Sequence, residues 1–199
     1  MIYLGSRVRI RSAGEEDAEL LSSWSSDPGF AAFQPLVWHA SDFKEHWLWR
    51  QRTLRGVDPP LEYEAIVEDA GSAKPLGVMQ LSGVDRINRK AEFSLYFASR
   101  RRTRSVFEAL HVALHTIFDR LELRKVICHY SPEDPNVASV LSALGFAEEG
   151  LFRDELLDAH GKPRDLSRCA LFKHHWVNPC GPRAKLQAIA PLSLHGFSE

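Results

Sequence analysis

The 199-residue chain has little that would mark it for a specialised setting. It has no excess of charge, because 25 Lys and Arg stand against 26 Asp and Glu for a net charge of −1. Binders of nucleic acid or anionic membranes carry a strongly basic surface, so neither partner is expected. No apolar run approaches the roughly 20 residues that a membrane-spanning helix needs. The opening MIYLGSRVRI lacks the basic-then-apolar layout of a secretory leader, so a cytoplasmic setting is expected. Cysteine is scarce and odd in number. Cys128, Cys169 and Cys180 lack metal-ligand spacing, and no disulfide framework is expected. Internal repeats and low-complexity tracts are missing too. What is there is ordinary for a globular protein, 44% hydrophobic and 26% charged, and the length suffices for one domain with a real core.

Hydrophobic periodicity divides the chain into elements. Residues 7–11 alternate polar and apolar at period two, as a half-buried strand does. Ala18, Leu20, Leu21 and Trp24 then form one apolar helical face, which Asp27-Pro28-Gly29 stops. A second helix is predicted over residues 42–55, carrying Phe43, Trp47, Leu48 and Leu54. Strands at 63–67, 75–81 and 91–98, joined by polar turns, read as an antiparallel meander. Val106, Leu110, Ala113, Leu114, Ile117, Phe118 and Leu121 recur at steps of three and four, the clearest amphipathic helix of the chain. A strand at 126–130 follows. Asp134-Pro135 makes an N-cap and first-turn pair for a helix ending at Gly145, and strands near 150–157 and 166–172 flank a turn. The order predicts an α+β fold with one central sheet over residues 1–177. Residues 178–199, rich in Pro and Gly without a sustained period, are expected to be a tail.

Four stretches, in this order, resemble the GNAT superfamily of acyl-CoA-dependent N-acyltransferases, in particular its branch acting on ribosomal-protein N-termini and related small amines. Residues 7–27 look like that branch's opening strand, its Glu16-Asp17-Ala18 helix start and its Ser26-Asp27-Pro28 stop. Residues 87–92 look like the turn into its fourth strand, and Glu108-Ala109-Leu110 like its cofactor-side helix. Asn136-Val137-Ala138-Ser139, Leu144-Gly145-Phe146, Glu148-Glu149-Gly150 and Arg153-Asp154 look like its last helix and hairpin. The resemblance implies a single GNAT-like domain, a mostly antiparallel mixed sheet splayed between its fourth and fifth strands with helices on both faces. It implies transfer of an acyl group, most simply acetyl, from acetyl-CoA or another acyl-CoA to the primary amine of a small molecule or a protein N-terminus. No metal is implied, and the protein would be a monomer or a homodimer.

In that family pantetheine lies in the splay against strand backbone, here near Tyr96 and Phe97. A glycine-rich loop and the following helix N-terminus cradle the pyrophosphate. Aligned on Glu108-Ala109-Leu110, that loop falls on residues 100–105, which contain four arginines and no glycine. The family's two glycines would sit at Arg102 and Arg104. Phosphate binding is therefore expected from Arg101, Arg102 and Arg104 as direct donors, with Thr103, Ser105 and Val106 beside them. A decayed site with solvated arginines is the alternative. In the last helix the family's pantetheine-side Asn would fall at Asp134, eleven residues before Gly145, with Asn136 and Ser139 close by. Its acidic Tyr would fall at Leu141, so protonation of the leaving thiolate would need water, or the thiolate would leave unprotonated.

Amide formation needs a neutral amine and hence a base. Glu92, which opens the fourth strand, is the candidate; a salt bridge to Arg89 or Lys90 is the competing role. Phe30, Gln34, Trp38 and His39 fall where the family's N-terminal helices cover the acceptor, while Trp24 reads as core. His111 and His115, four apart on the central helix, have no third metal ligand and read as solvent or sheet-edge packing; His174 and His175 carry no clearer signal. Cys128 reads as a small buried apolar residue. Two other functions stay open on the arginine loop: a different donor, such as an acyl carrier protein, a bulky acyl-CoA or an aminoacyl-tRNA (the one nucleic-acid partner entertained), and a non-catalytic GNAT-like binding protein.

Overall fold

The period-two segments pair into one eight-stranded sheet in the order β1-β2-β3-β4-β5-β6-β8-β7. The structure, a computed structural model, describes residues 2–27, 30, 42–54, 62–98, 103–158, 161–192 and 196–197. The strands are β1 (Tyr3–Leu4), β2 (Val8–Ser12), β3 (Tyr63–Asp69), β4 (Pro75–Asp85), β5 (Lys90–Phe97), β6 (Lys125–Tyr130), β7 (Ala147–Leu157) and β8 (Pro163–Phe172). Every neighbouring pair is antiparallel except β5–β6. The sheet is thus mixed and mostly antiparallel, as the resemblance implied.

Helices α1 (Ala18–Trp24) and α2 (Phe43–Leu54) cover one face. There Ala18, Leu21, Phe43 and Trp47 pack on Ile66, Val78 and Tyr96. Helix α3 (Arg104–His115) covers the other face, with Leu110, Ala113 and Leu114 packed on Ala91, Phe93, Val126 and Leu171. The predicted stripe of α3 runs on through a π-helical turn at Thr116–Arg120, whose Ile117 and Phe118 are buried. Helix α4 (Pro135–Ala143) lies beside it, its Val140 and Leu141 packed against the same core. Alternation along the strands makes this division possible, since successive side chains point to opposite faces.

Past residue 178 the structure departs from expectation. After a single turn, α5 (Lys173–Trp176), the segment read as a tail carries α6 (Pro182–Ile189) and returns to the core. Leu186 and Ala190 are fully buried, Leu186 within the α3 core and Trp176 beside it. Phe197 pairs with Tyr3 of β1 and packs on the His115 ring. An eight-residue helix with few apolar positions gives too short a period to stand out in sequence. The histidines of α3 are corrected with it. His111 is buried and its Nδ1–H donates to the Ala190 carbonyl at 2.8 Å, while His115 Nδ1 meets Asp119 Oδ2 at 2.9 Å. Trp176 Nε1–H donates to the same Asp119 oxygen at 3.0 Å. Both rings therefore fasten the C-terminal segment.

Burial holds the His111 imidazole below its ordinary value, against the opposing pull of its bond to Ala190. The unfolded chain binds that proton more readily, so stability is whole above the ordinary imidazole range and declines as pH falls below it. Urea unfolding between about pH 7 and pH 5, where imidazoles titrate, should show a shallower decline in His111→Gln. Leu186→Ala should cost about 2–5 kcal/mol, the range for emptying a filled core site, whereas a loose tail would lose almost nothing.

Candidate active site

Strands β5 and β6 are in register over three residues only: Lys90 with Lys125, Ala91 with Val126 and Glu92 with Ile127. Beyond them β5 stays bonded to β4 as far as Phe97, and β6 stays bonded to β8 as far as Tyr130. The sheet opens in a wedge whose apex is Glu92 and Ile127. Strand parity shows what lines it. Ala98 N–H donates to the Leu76 carbonyl of β4, and the Arg89 carbonyl accepts from Arg124 N–H ahead of β6. Even-numbered residues of β5 therefore turn their backbone groups to β4 and odd-numbered ones turn theirs toward β6. Leu95 and Phe97 present amides and carbonyls into the wedge with no strand opposite among the described residues, whereas the Phe93 amide is still held in the ladder by the Glu92–Ile127 pairing. Buried peptide groups of this kind need a partner, which an extended amide-bearing chain supplies. Phe97 thus turns its backbone toward the wedge. Tyr96 is corrected: its backbone faces β4, and its buried ring packs on Trp24 and Phe30.

On the α1–α2 face, Glu92, Ser94 and Tyr96 of β5 stand beside Ile127 and His129 of β6. Glu92 is about half exposed, and its Oε2 lies 3.9 Å from His129 Nδ1. Among the described residues Glu92 meets His129 rather than forming a bridge to Arg89 or Lys90. His129 pairs in register with Arg168 of β8, and the Phe152 ring of β7 meets its imidazole at 6.3 Å. Burial lowers the imidazole below its ordinary value; Glu92 and Glu155 pull it up, while Arg168 pulls it down. Arg168 is itself held by Glu149 at 3.2 Å. Helix α2 is pinned over this face by a buried carboxylate, Glu64, which accepts from Trp47 Nε1 at 2.9 Å and Gln51 Nε2 at 2.8 Å. Burial pushes the Glu64 carboxyl up, partly offset by Arg50.

At the open end of the wedge, Thr103 occupies the N-cap position of α3, and Arg104 and Ser105 form its first turn. The amides of a helix's first turn and its positive dipole end favour an anion there. Arg104 is exposed; Val106 packs against the core. Arg101 and Arg102 lie outside the described residues, as do Gln34, Trp38 and His39. Phe30 is buried against Phe43 and Tyr96, so it is core beneath the acceptor face. Asp134 is corrected to a structural cap: its Oδ1 accepts from Asn136 N–H at 3.0 Å and Val137 N–H at 3.2 Å. Asn136 and Ser139 are exposed on α4. Ser139 also lines a mainly apolar cavity of about 270 Å³ with Phe107, Val140, Leu144 and Ile189. Cys128 is buried, and burial pushes its thiol well up; its cross-strand partner Cys169 is pushed up to about 12. Neither is a nucleophile at neutral pH.

The sequence reading missed His129. The signal was present in the alternation of residues 126–130, which puts Val126, Cys128 and Tyr130 on one face and Ile127 and His129 on the other, with Glu92.

The sheet parts between its two parallel strands, with a helix N-terminus following β5 and titratable side chains at the apex. Residues 7–147 match the family model described as Acetyltransferase (GNAT) domain. The chain belongs to the GNAT acetyltransferase family. It is 29% identical over 131 residues to YdaF of Bacillus subtilis (strain 168), a protein provisionally named a ribosomal N-acetyltransferase; the match covers 64% of this chain and 67% of YdaF. The fold is also that of spermidine N-acetyltransferase SpeG from Vibrio cholerae in complex with CoA and spermine. The TM-score is 0.70 at 20% identity, over 86% of this chain and 98% of the other. A chimera of that enzyme with hSSAT scores 0.70 at 22% identity, covering 87% and 99%.

Asp134→Ala removes the α4 cap and should cost about 0.5–2 kcal/mol in urea unfolding, without altering the affinity for acetyl-CoA. A loss of affinity at unchanged stability would return Asp134 to the donor site.

Proposed function

We propose that this acetyltransferase moves an acetyl group from acetyl-CoA to the primary amine of a small molecule or a peptide N-terminus, with the amine entering from the α1–α2 face. The observation that carries this reading is the wedge itself, with the backbone of Leu95 and Phe97 turned into it and Glu92 at its apex. The backbone groups would hold pantetheine in the manner of a strand, and the first turn of α3 with Arg104 would hold the phosphates. When bound, acetyl-CoA supplies the activated thioester. Glu92 would draw the acceptor's ammonium to the apex and take up its proton, directly or through a water. Among the described residues no helix is long and apolar enough to cross a membrane, and a cytoplasmic setting suits the coenzyme.

Two measurements test the reading. Acetyl-CoA at about 100 times its dissociation constant should stabilise the fold by about 2.7 kcal/mol, visible as a melting shift. Arg104→Ala should weaken that binding roughly tenfold or more, as expected when a charge-assisted hydrogen bond is lost. No shift at millimolar acetyl-CoA would rule out this donor and leave another donor or a non-catalytic role. Separately, Glu92→Gln should lower kcat/KM about 10²–10⁴-fold while leaving acetyl-CoA affinity near that of the wild type. A wild-type rate in that variant would remove Glu92 from the chemistry.

A further inference from the structure

Resting on the acetyl-transfer reading above, we propose that His129 is the proton acceptor of the reaction, receiving through Glu92 the proton that the acceptor ammonium gives up. The two side chains come from the two strands that part, and they face each other across the apex of the wedge, 3.9 Å between Glu92 Oε2 and His129 Nδ1. The imidazole is the fixed member. It is mostly buried, its strand is paired to β8 through Tyr130, and Phe152 meets its ring edge-to-face. The carboxylate is the more exposed member, 48% exposed against 18% for the imidazole, and so has the space to turn between solvent and ring.

The charges around the ring suit an acceptor of protons. Glu92 faces it from β5, Arg168 from β8 and Glu155 from β7. Burial and Arg168 keep the resting ring neutral, while the two carboxylates stabilise it once charged. An imidazole is by its chemistry a stronger base than a carboxylate, which suits the ring to receive a proton passed on to it. A base is most effective when its own titration lies near the working pH.

The step balances as follows. The ammonium N–H bond breaks, its electron pair stays on nitrogen, and the proton passes by Glu92 to His129 Nδ1. The free amine forms the new C–N bond at the thioester carbonyl, and the C–S bond breaks with its pair on sulfur. The second proton lost by nitrogen ends on the thiolate, and the imidazolium discharges its proton to solvent.

Release of CoA from acetyl-CoA is measured against pH with two probe acceptors, spermidine and a hexapeptide with an N-terminal alanine. The imidazole of His129 is titrated by NMR, its signal identified by its loss in His129→Gln. The wild-type kcat/KM should fall on the acid side as His129 takes up its proton. His129→Gln should be 100-fold or more slower and flat over that range, with an unchanged melting temperature, and His129→Ala should regain rate in added imidazole. Glu92→Gln should move the His129 titration to lower pH, since Glu92 favours the charged ring. The proposal is overturned if His129→Gln keeps the wild-type rate and acid limb, if imidazole restores nothing, or if the titration stays in place in Glu92→Gln. If the wild type acetylates neither probe, the acetyl-transfer reading fails for these amines. The NMR result then decides the pair alone: an unmoved titration overturns it, and a moved one supports it.

Discussion

Everything functional in this protein depends on where one parallel strand pairing ends. Parallel ladders are slightly weaker per residue than antiparallel ones, so the β5–β6 seam is the natural place for the sheet to part. Each strand has a firmer antiparallel neighbour to follow, β4 for one and β8 for the other. After Glu92 and Ile127 both keep those neighbours and lose each other. The cost is a row of backbone groups on β5 without a strand opposite. On the proposed reading that cost would become affinity, because a donor with amides along its arm could complete the ladder that the fold leaves open.

The two-residue alternation of the same strands keeps the donor and acceptor chemistry apart. Odd positions of β5 send their backbone into the wedge and their side chains, Phe93 and Leu95, to the α3 core. Even positions send Glu92 and Ser94 to the α1–α2 face. One strand thus carries an open backbone edge and a titratable side chain on separate surfaces, which the proposed reading assigns to donor and acceptor. Glu64 matters here without touching the wedge. A buried carboxylate that binds Trp47 and Gln51 holds α2 to β3 on the face of the sheet that carries Glu92.

The elements with a strong period were legible in the sequence. The Val106–Leu121 stripe gave α3, the 63–98 alternation gave the meander, and Asp134-Pro135 gave the start of α4. Glu92 was legible because a lone carboxylate opens an otherwise apolar strand. Roles that depend on contacts between distant segments were not. Asp134 matches a family position but caps its own helix, which spacing cannot distinguish. His129 sits at the right parity, yet its meeting with Glu92 depends on β5 and β6 being neighbours over three residues. The α6 helix was hidden because eight residues with one fully buried leucine hold too little period. Its contribution lies in what it meets on α3.

That contribution bears on the loop without glycine. Helix α3 is gripped near its start, where buried Glu108 accepts from Ser6 Oγ at 3.2 Å and Arg7 N–H at 3.4 Å. Gly5 is required beside it, since any Cβ there would stand 2.0 Å from Glu108 Oε1. Farther along, the same helix is gripped by His111 on Ala190 and by the His115–Asp119–Trp176 cluster. A helix fixed at three points along its length keeps its first-turn amides in one place relative to the wedge. On the proposed reading the phosphates would rest on the helix end and on Arg104. Glycine is favoured in phosphate-binding loops because the backbone itself must approach the ligand. Where a rigid helix end and a long cationic side chain do the reaching, that requirement falls away, and arginine becomes tolerable at the positions glycine would hold.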